Sequence, residues 1–205
     1  MLKGTVTFTA LVIGAFKIHF DEYIWQADAP QVEKVSIRAL DEERPPKNTI
    51  KATVHLASVE TKEEGGEVAM KVINKALDLI SFHFNLSIDK AIEKDASYEP
   101  LNPEGGKHIK FCGRSIAVSV VATGGVMSPT LSELQDILEG VTVPDTSSTY
   151  LRFFRSARRS ESSVEEFMHL YNILLYLNGD SQDKVDACIK RYNSKEQLAP
   201  SPVQS

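Results

Sequence analysis

The feature that most constrains this 205-residue chain is an apolar helix near its end, in the stretch SVEEFMHLYNILLYLNGD, residues 163–180. Its apolar side chains lie nearly all round a helical projection: Val164, Phe167, Met168, Tyr171, Leu174, Leu175 and Leu177. A helix that is apolar on most sides needs neighbours on most sides. Ser162 with Glu165 fits a capping box at its start, and Gly179 fits the stop. The short helices predicted over 149–160 and 181–192 can cover only part of this apolar surface. We therefore expect an incomplete helical bundle.

The first half of the chain follows a different period. In TIKATVHLASVE, residues 49–60, apolar and polar residues alternate, which is typical of a strand with one buried and one solvated face. VEKVSIRAL repeats the pattern, and residues 5–20 and 22–29 supply earlier strands. These segments predict a sheet that is covered on one side.

Helices and loops interrupt this sheet. Apolar residues at three- and four-residue spacing predict a helix over 67–84, and the preceding EEGG is expected to end a strand. Residues 89–108 are polar, with two prolines and a glycine pair, and are predicted to form a loop. Residues 110–125 predict another strand, and 130–140 a short helix with a Thr130–Glu133 capping box.

Together these elements predict an α+β fold with two domains. A mostly antiparallel sheet with two packed helices spans 1–142, and a small, incomplete α-helical bundle spans 149–192. The boundary falls in the polar, proline-bearing stretch VTVPDTSST, residues 141–149, and residues 193–205 are expected to form a disordered tail.

Composition excludes several classes of function. The net charge of −5 and pI near 5.6 give no general nucleic-acid footprint, so such a contact must use a local patch. Cys112 and Cys188 are too few for a Cys-rich zinc site or a disulfide framework, and two free thiols suit the cytoplasm. The five histidines form no HxH or HxxxH pair, and no apolar run spans a bilayer. We therefore expect no metal, no cofactor and no membrane partner.

A basic cluster is the first candidate site. Arg152, Arg155 and Arg159 share a helical face by their spacing, and such a face can contact the phosphates of RNA. The alternative is a solvated face that pairs with the nearby glutamates at 161, 165 and 166, which is the commoner fate of charge runs.

A glycine turn is the second candidate site. Gly124, Gly125, Ser128 and Thr130 lie between a predicted strand and a helix start, a geometry that binds anions at helix amides. Ser128 and Thr130 are more simply explained as helix caps. The turn has neither a GxGxxG nor a Walker pattern.

The stretch YLRFFRSARRSESSVEEFMHLYNILLYLNGDSQDKVDACI, residues 150–189, resembles the helical region of the MauJ-like proteins of methylamine utilisation and the related ApeA-like HEPN proteins. The shared pattern is a helix rich in Phe and Arg, an acidic-serine turn and EEFMHLYNILLYLNGD. Residues 69–88 are similar to a helix typical of the same group, in which a sheet domain precedes the bundle.

The resemblance implies an RNA-related fold. Active HEPN domains pair two copies and cut RNA without a metal, using an Arg and a His that follows it closely. This chain departs from that pattern, because no His follows Arg191 and the last one is His169. No catalytic residue can be carried over, and we expect no enzyme activity.

Three functions remain open at this point. The first is a non-catalytic bacterial accessory protein that self-associates, or binds a protein partner, through the helix at 163–178. The second is a truncated or split HEPN-type ribonuclease that lacks its Arg–His motif. The third is a small α+β module that binds an anion or nucleotide at the glycine turn.

Overall fold

The alternating segments of the N-terminal half pair into one antiparallel sheet. A computed structural model of the protein describes residues 1–14, 16–40, 48–101, 109–112, 125–139 and 145–196. Its strands are β1 (Leu2–Ile13), β2 (Lys17–Ile18), β3 (Phe20–Trp25), β4 (Val32–Leu40), β5 (Thr49–Val59), β6 (Ser87–Ile88), β7 (Ile92–Pro100), β8 (Ile109–Cys112) and β9 (Val126–Met127). Its helices are α1 (Lys62–Phe84), α2 (Leu131–Leu138), α3 (Asp145–Arg159), α4 (Ser163–Leu177) and α5 (Gln182–Glu196). The predicted α+β class is confirmed.

The longest strand lies in the middle of the sheet. The strand order is β3-β4-β5-β1-β7-β8, and β6 also pairs with the end of β1. Val6 on β1 lies opposite Val54 on β5 and Ala96 on β7, and both pairings are antiparallel. β2 and β9 form a separate parallel pair. β1 is therefore a central strand of the sheet, with β5 on one side and β7 on the other.

One face of the sheet is covered by α1. Phe8, Val54 and Leu56 are buried in one cluster with Ile73 and Ile80 of the helix. The alternate residues of β5 are partly exposed, as the two-residue period predicts. The prediction of one covered and one solvated face is thus confirmed for this strand.

Helix α1 begins earlier than predicted. Thr61 caps it by accepting a hydrogen bond from the Glu64 backbone N–H at 3.1 Å, so EEGG lies inside the helix and does not simply break the strand. Gly65 is buried against β7 and β5, where an added Cβ would lie 2.8 Å from Cε1 of Tyr98. The glycine therefore permits close packing of the helix on the sheet.

The predicted loop over 89–108 is wrong where the structure describes it, because residues 92–100 form β7. Only Ala96 and Tyr98 of this strand are buried. A strand with two buried side chains among charged residues gives a weak alternating pattern. The predicted strand over 110–125 is confirmed for 110–112, where β8 pairs with β7; residues 113–124 lie outside the described residues.

Helix α2 forms as predicted. Thr130 and Glu133 make both hydrogen bonds of the capping box. Leu134 joins the main core, and Ile137 packs in a smaller cluster with Leu79 of α1 and Leu151 of α3. This smaller cluster joins three helices on the covered face of the sheet.

Helix α3 begins inside the predicted linker. Residues 145–149 are helical, and residues 141–144 lie outside the described residues. α3 packs against α1 through Leu151 and Arg155. α5 extends to Glu196, so the first four residues of the predicted tail are helical too. The division into domains at 142 and 149 stays a prediction.

Candidate functional site

Helix α4 is capped at its C-terminal end but lacks a side-chain cap at its N-terminal end. Ser162 occupies the N-cap position, but its side chain makes no capping hydrogen bond, so the predicted capping box is not formed. At the other end, Gly179 has a φ of 65°, and the Asp180 N–H donates to the carbonyl of Leu175 at 2.9 Å. Gly179 stops the helix as predicted, because glycine adopts this left-handed conformation without strain.

One side of α4 packs against α3, mostly through polar and aromatic groups. Nη1 of Arg158 lies 3.1 Å from Oε1 of Glu166, and both side chains are about one third exposed. The rings of Phe153 and His169 lie with their centroids 6.3 Å apart. These contacts orient α4 along α3 but bury few of its apolar side chains.

The other side of α4 is apolar and open to solvent. No residue of this helix is buried. Val164 is 69% exposed, Phe167 59% and Met168 52%. We call the exposed apolar set the α4 face: Val164, Phe167, Met168, Leu170 and Leu177. By helical spacing, this set covers about half of the circumference.

The spacing along α4 suits pairing with another helix. Val164, Phe167, Tyr171 and Leu174 recur at intervals of three and four residues, the period of a coiled-coil seam. Phe167 and Tyr171 stack with ring centroids 5.7 Å apart, which forms an aromatic ridge along the helix. α5 contacts α4 but leaves the face open, and Tyr192 on α5 is itself 67% exposed.

The basic residues of α3 do not form a single exposed face. Arg152 is exposed and Arg159 is half-buried, whereas Arg155 is only 4% exposed. The helical spacing correctly places the three side chains on one side of α3. It does not reveal that this side is the one that packs on α1.

Arg155 joins α3 to α1, to the end of β6 and to the residue that follows β6. Nη1 donates to Oδ1 of Asp78 at 2.9 Å and to Oδ1 of Asn74 at 3.2 Å. Nε donates to the carbonyl of Ile88 at 3.2 Å, and Nη2 to that of Asp89 at 2.9 Å. A buried guanidinium requires partners for its donors, and this network supplies them.

Burial acts against both charges of this pair. Burial raises the pKa of Asp78, and the attraction of Arg155, with smaller effects from Arg152 and Arg159, opposes that rise. Burial likewise lowers the pKa of Arg155, and Asp78 opposes that change. The two groups are therefore mutually dependent, since each is the main counter-charge of the other.

Asp78 was missed by the sequence reasoning. It lies four residues after Asn74, beside the apolar face of α1, so the two polar residues share one side of the helix. This polar pair, next to buried leucines, is a signal in the sequence for a buried partner on another element. The sequence does not indicate that the partner is Arg155.

The predicted anion-binding turn is bonded within the chain. The Thr130 N–H donates to Oε2 of Glu133 at 2.8 Å, and the Glu133 N–H donates to Oγ1 of Thr130 at 3.2 Å. Gly125 and Ser128 are exposed, and Gly124 lies outside the described residues. The capping box thus already engages two of the amides at this helix start.

The described part of the chain offers neither a metal site nor a membrane-spanning helix. Across those residues, no group of three or more His, Cys, Asp or Glu side chains has the geometry to hold a metal ion. No helix within the described ranges is long and apolar enough to cross a bilayer.

Comparison of the chain with protein-family models, with curated proteins and with solved structures finds no match. The resemblance to MauJ-like and HEPN proteins therefore stays a prediction. The candidate sites must be judged on their own geometry, which leaves the α4 face and the surroundings of Arg155.

Proposed function

We propose that this chain is a non-catalytic interaction protein that self-associates through the α4 face. The observation that carries this proposal is a helix with no buried residue whose apolar side chains point to solvent. Large contiguous apolar patches on soluble proteins mark sites of association. Two widely separated cysteines suit a reducing cytoplasm, and the resemblance to MauJ-like proteins suggests a bacterial source.

A second copy of the chain is the partner that the surface favours. Val164 and Phe167 of the α4 face, with Tyr171 and Leu174 beside it, carry the three-four spacing that lets two helices interdigitate, and two-fold pairs are the commonest protein assemblies. In such a pair the same face meets itself, so Phe167 and Met168 of each copy would become buried together. The acidic side chains of Glu165 and Glu166 lie at the edge of the face and would stay hydrated.

The test is molar mass as a function of concentration. Light scattering behind size exclusion should report a dimer that dissociates on dilution between about 100 and about 1 µM. Phe167→Glu should give a monomer at all concentrations, because each copy would place an unpaired carboxylate in the contact. Circular dichroism should be unchanged, since position 167 is exposed in the single chain.

The matched control is Phe16→Glu. Phe16 is 50% exposed and lies outside α4, so the substitution has the same chemistry on a comparable side chain. It should leave the dimer intact. A wild-type chain that stays monomeric throughout this range, or a dimer that both substitutions weaken equally, would overturn self-association through α4.

A further inference from the structure

A cleft of about 690 Å³ lies between α1, α3 and the segment that follows β6. Six of the twelve residues that line it are basic, and one, Asp78, is acidic. The basic residues come from all three elements: Lys71 and Lys75 on α1, Lys90 after β6, and Arg152, Arg155 and Arg159 on α3. The fold therefore gathers cations that are far apart in the sequence.

Neighbouring carboxylates balance part of this positive charge. Lys71 also borders a hollow lined by Glu67 and Glu93, and Lys75 borders one lined by Asp28 and Glu139. Asp78 is paired with Arg155 inside the cleft wall. Asp89 is nearby, and its carboxylate keeps its negative charge while it accepts a hydrogen bond from the Lys90 backbone N–H at 2.7 Å. Within the described residues, no carboxylate forms an ion pair with the other five cations. Arg159 also lines a neighbouring hollow together with Glu161 and Glu165.

The five cations that make no ion pair in the cleft still repel one another, because like charges repel. The repulsion is visible within the cluster, where Arg159 contributes to lowering the pKa of Arg155. Burial of the Arg155–Asp78 pair accounts for one cation of the six. An anionic ligand among the others would offset the repulsion that remains, above all between Lys90, Arg152 and Arg159.

The size and floor of the cleft limit what that anion is. Its volume falls in the range of small-molecule sites, which is roughly 300–1,000 Å³. Met70, Ala91 and Leu151 give it apolar surface between the cations. An apolar floor beside several guanidinium and ammonium groups suits a ligand with a flat apolar body and more than one phosphate.

We propose that the cleft between α1 and α3 binds a nucleotide that carries two or three phosphates. Arg152, Arg159 and Lys90 hold the phosphates, and the base lies on Met70 and Ala91. Arg155 is a positioning residue, because its donors are already engaged by Asp78, Asn74 and two carbonyls. This site is separate from the α4 face and does not depend on self-association.

The test is calorimetric titration of the full chain with ADP, with adenosine and with inorganic pyrophosphate. ADP should bind saturably at one site per chain, pyrophosphate more weakly, and adenosine not measurably. The double variant Lys90→Gln/Arg152→Gln should weaken ADP binding by about a hundredfold, since each of the two lost charged contacts is worth roughly tenfold. Both side chains are exposed, so the fold should persist, which a thermal melt checks.

The matched control is Lys34→Gln/Lys184→Gln, which removes the same charge from exposed positions outside the cleft. It should leave ADP binding unchanged, as should Phe167→Glu on α4. Absence of saturable ADP binding, or equal weakening by the two double variants, would overturn the proposal. A short single-stranded RNA that binds more tightly than ADP and is released by Lys90→Gln/Arg152→Gln would overturn it in favour of a nucleic-acid site.

Discussion

Helices α1 and α4 have similar sequence signals and opposite environments. Both carry apolar residues at helical spacing. α1 buries nine residues between the sheet and α3, whereas α4 buries none. Periodicity thus identifies the side chains that favour burial, but it does not identify what will cover them.

The contacts of the two helices differ in the same way. α1 meets α3 through an ion pair, Arg155 with Asp78, that is almost fully buried. α4 meets α3 through an ion pair, Arg158 with Glu166, that is about one third exposed. The nitrogen–oxygen distances of the two ion pairs are similar, at 2.9 and 3.1 Å. Their exposure to solvent differs, and it determines how much each pair contributes to stability.

The largest expected difference is between two phenylalanines. Phe8 is 1% exposed and Phe167 is 59% exposed. Phe8→Ala should lower the free energy of unfolding by about 3–5 kcal/mol, because it leaves a cavity in the core. Phe167→Ala, measured by urea denaturation of the dilute chain, should change it by less than about 0.5 kcal/mol. A loss of several kcal/mol for Phe167→Ala under these conditions would mean that α4 is covered within one chain.

The second comparison sets the two ion pairs against each other. Arg155→Met should cost about 3–5 kcal/mol, because it leaves Asp78 charged and buried without its main partner. Arg158→Met should cost at most about 1 kcal/mol, because Glu166 remains hydrated. Urea denaturation measures both, and similar losses for the two variants would refute the distinction.

A double variant separates the charge of Arg155 from its packing. Arg155→Met combined with Asp78→Leu should be more stable than Arg155→Met alone, since no unpaired buried charge is left. No recovery in the double variant would show that the hydrogen bonds from Arg155 to the carbonyls of Ile88 and Asp89 dominate its contribution.

Two adjacent glycines of α1 provide the third comparison. A Cβ at Gly65 would lie 2.8 Å from a ring carbon of Tyr98 and 3.0 Å from Cδ1 of Leu56, whereas at Gly66 the nearest atom is 3.9 Å away. Gly65→Ala should therefore destabilise the protein by about 1–3 kcal/mol through overpacking. Gly66→Ala should stabilise it by about 0.5–1 kcal/mol, because alanine favours a helix interior. Thermal melts of both variants test this, and equal shifts of the same sign would contradict the close packing at position 65.

The same pair of glycines shows where sequence reasoning ends. A Gly-Gly pair after two glutamates typically ends a helix or strand. Here it lies within a helix, and the close packing of Gly65 on the neighbouring strands explains why. The alternation of apolar and polar residues predicted β5, and the Thr130–Glu133 capping box predicted α2. Both elements could be predicted because their signals lie within a few neighbouring residues. β7 was missed because its two buried residues give too short an alternating pattern, and the pairing of Arg155 with Asp78 was missed because the two residues are 77 positions apart.

The candidate sites divide along the same line. The excess of apolar side chains on α4 can be predicted from the sequence, because every residue of the α4 face lies on one helix. The cleft beside Arg155 is not, because Lys71, Lys90 and Arg152 come together only when α3 packs across α1 and β6. Sites made by one element can be predicted from its period, whereas sites made between elements require the tertiary contacts.

The smallest expected effect concerns the cap of α2, which closes one end of the covered region. Thr130→Ala removes the hydroxyl that accepts from the Glu133 N–H, and it should lower the free energy of unfolding by about 1 kcal/mol at neutral pH.

This loss should depend on pH through Glu133. Hydrogen bonds from the backbone and side chain of Thr130 lower the pKa of Glu133 below 4.5. The carboxylate therefore stabilises the fold above its ordinary pKa, and that effect is lost as the pH falls through its lowered pKa. The difference between Thr130→Ala and wild type should therefore shrink when urea denaturation is repeated at progressively lower pH below 4.5. Ser132→Ala, on an exposed residue of the same helix, should show no such dependence; a constant difference for Thr130→Ala at all pH values would mean that the cap acts without the carboxylate.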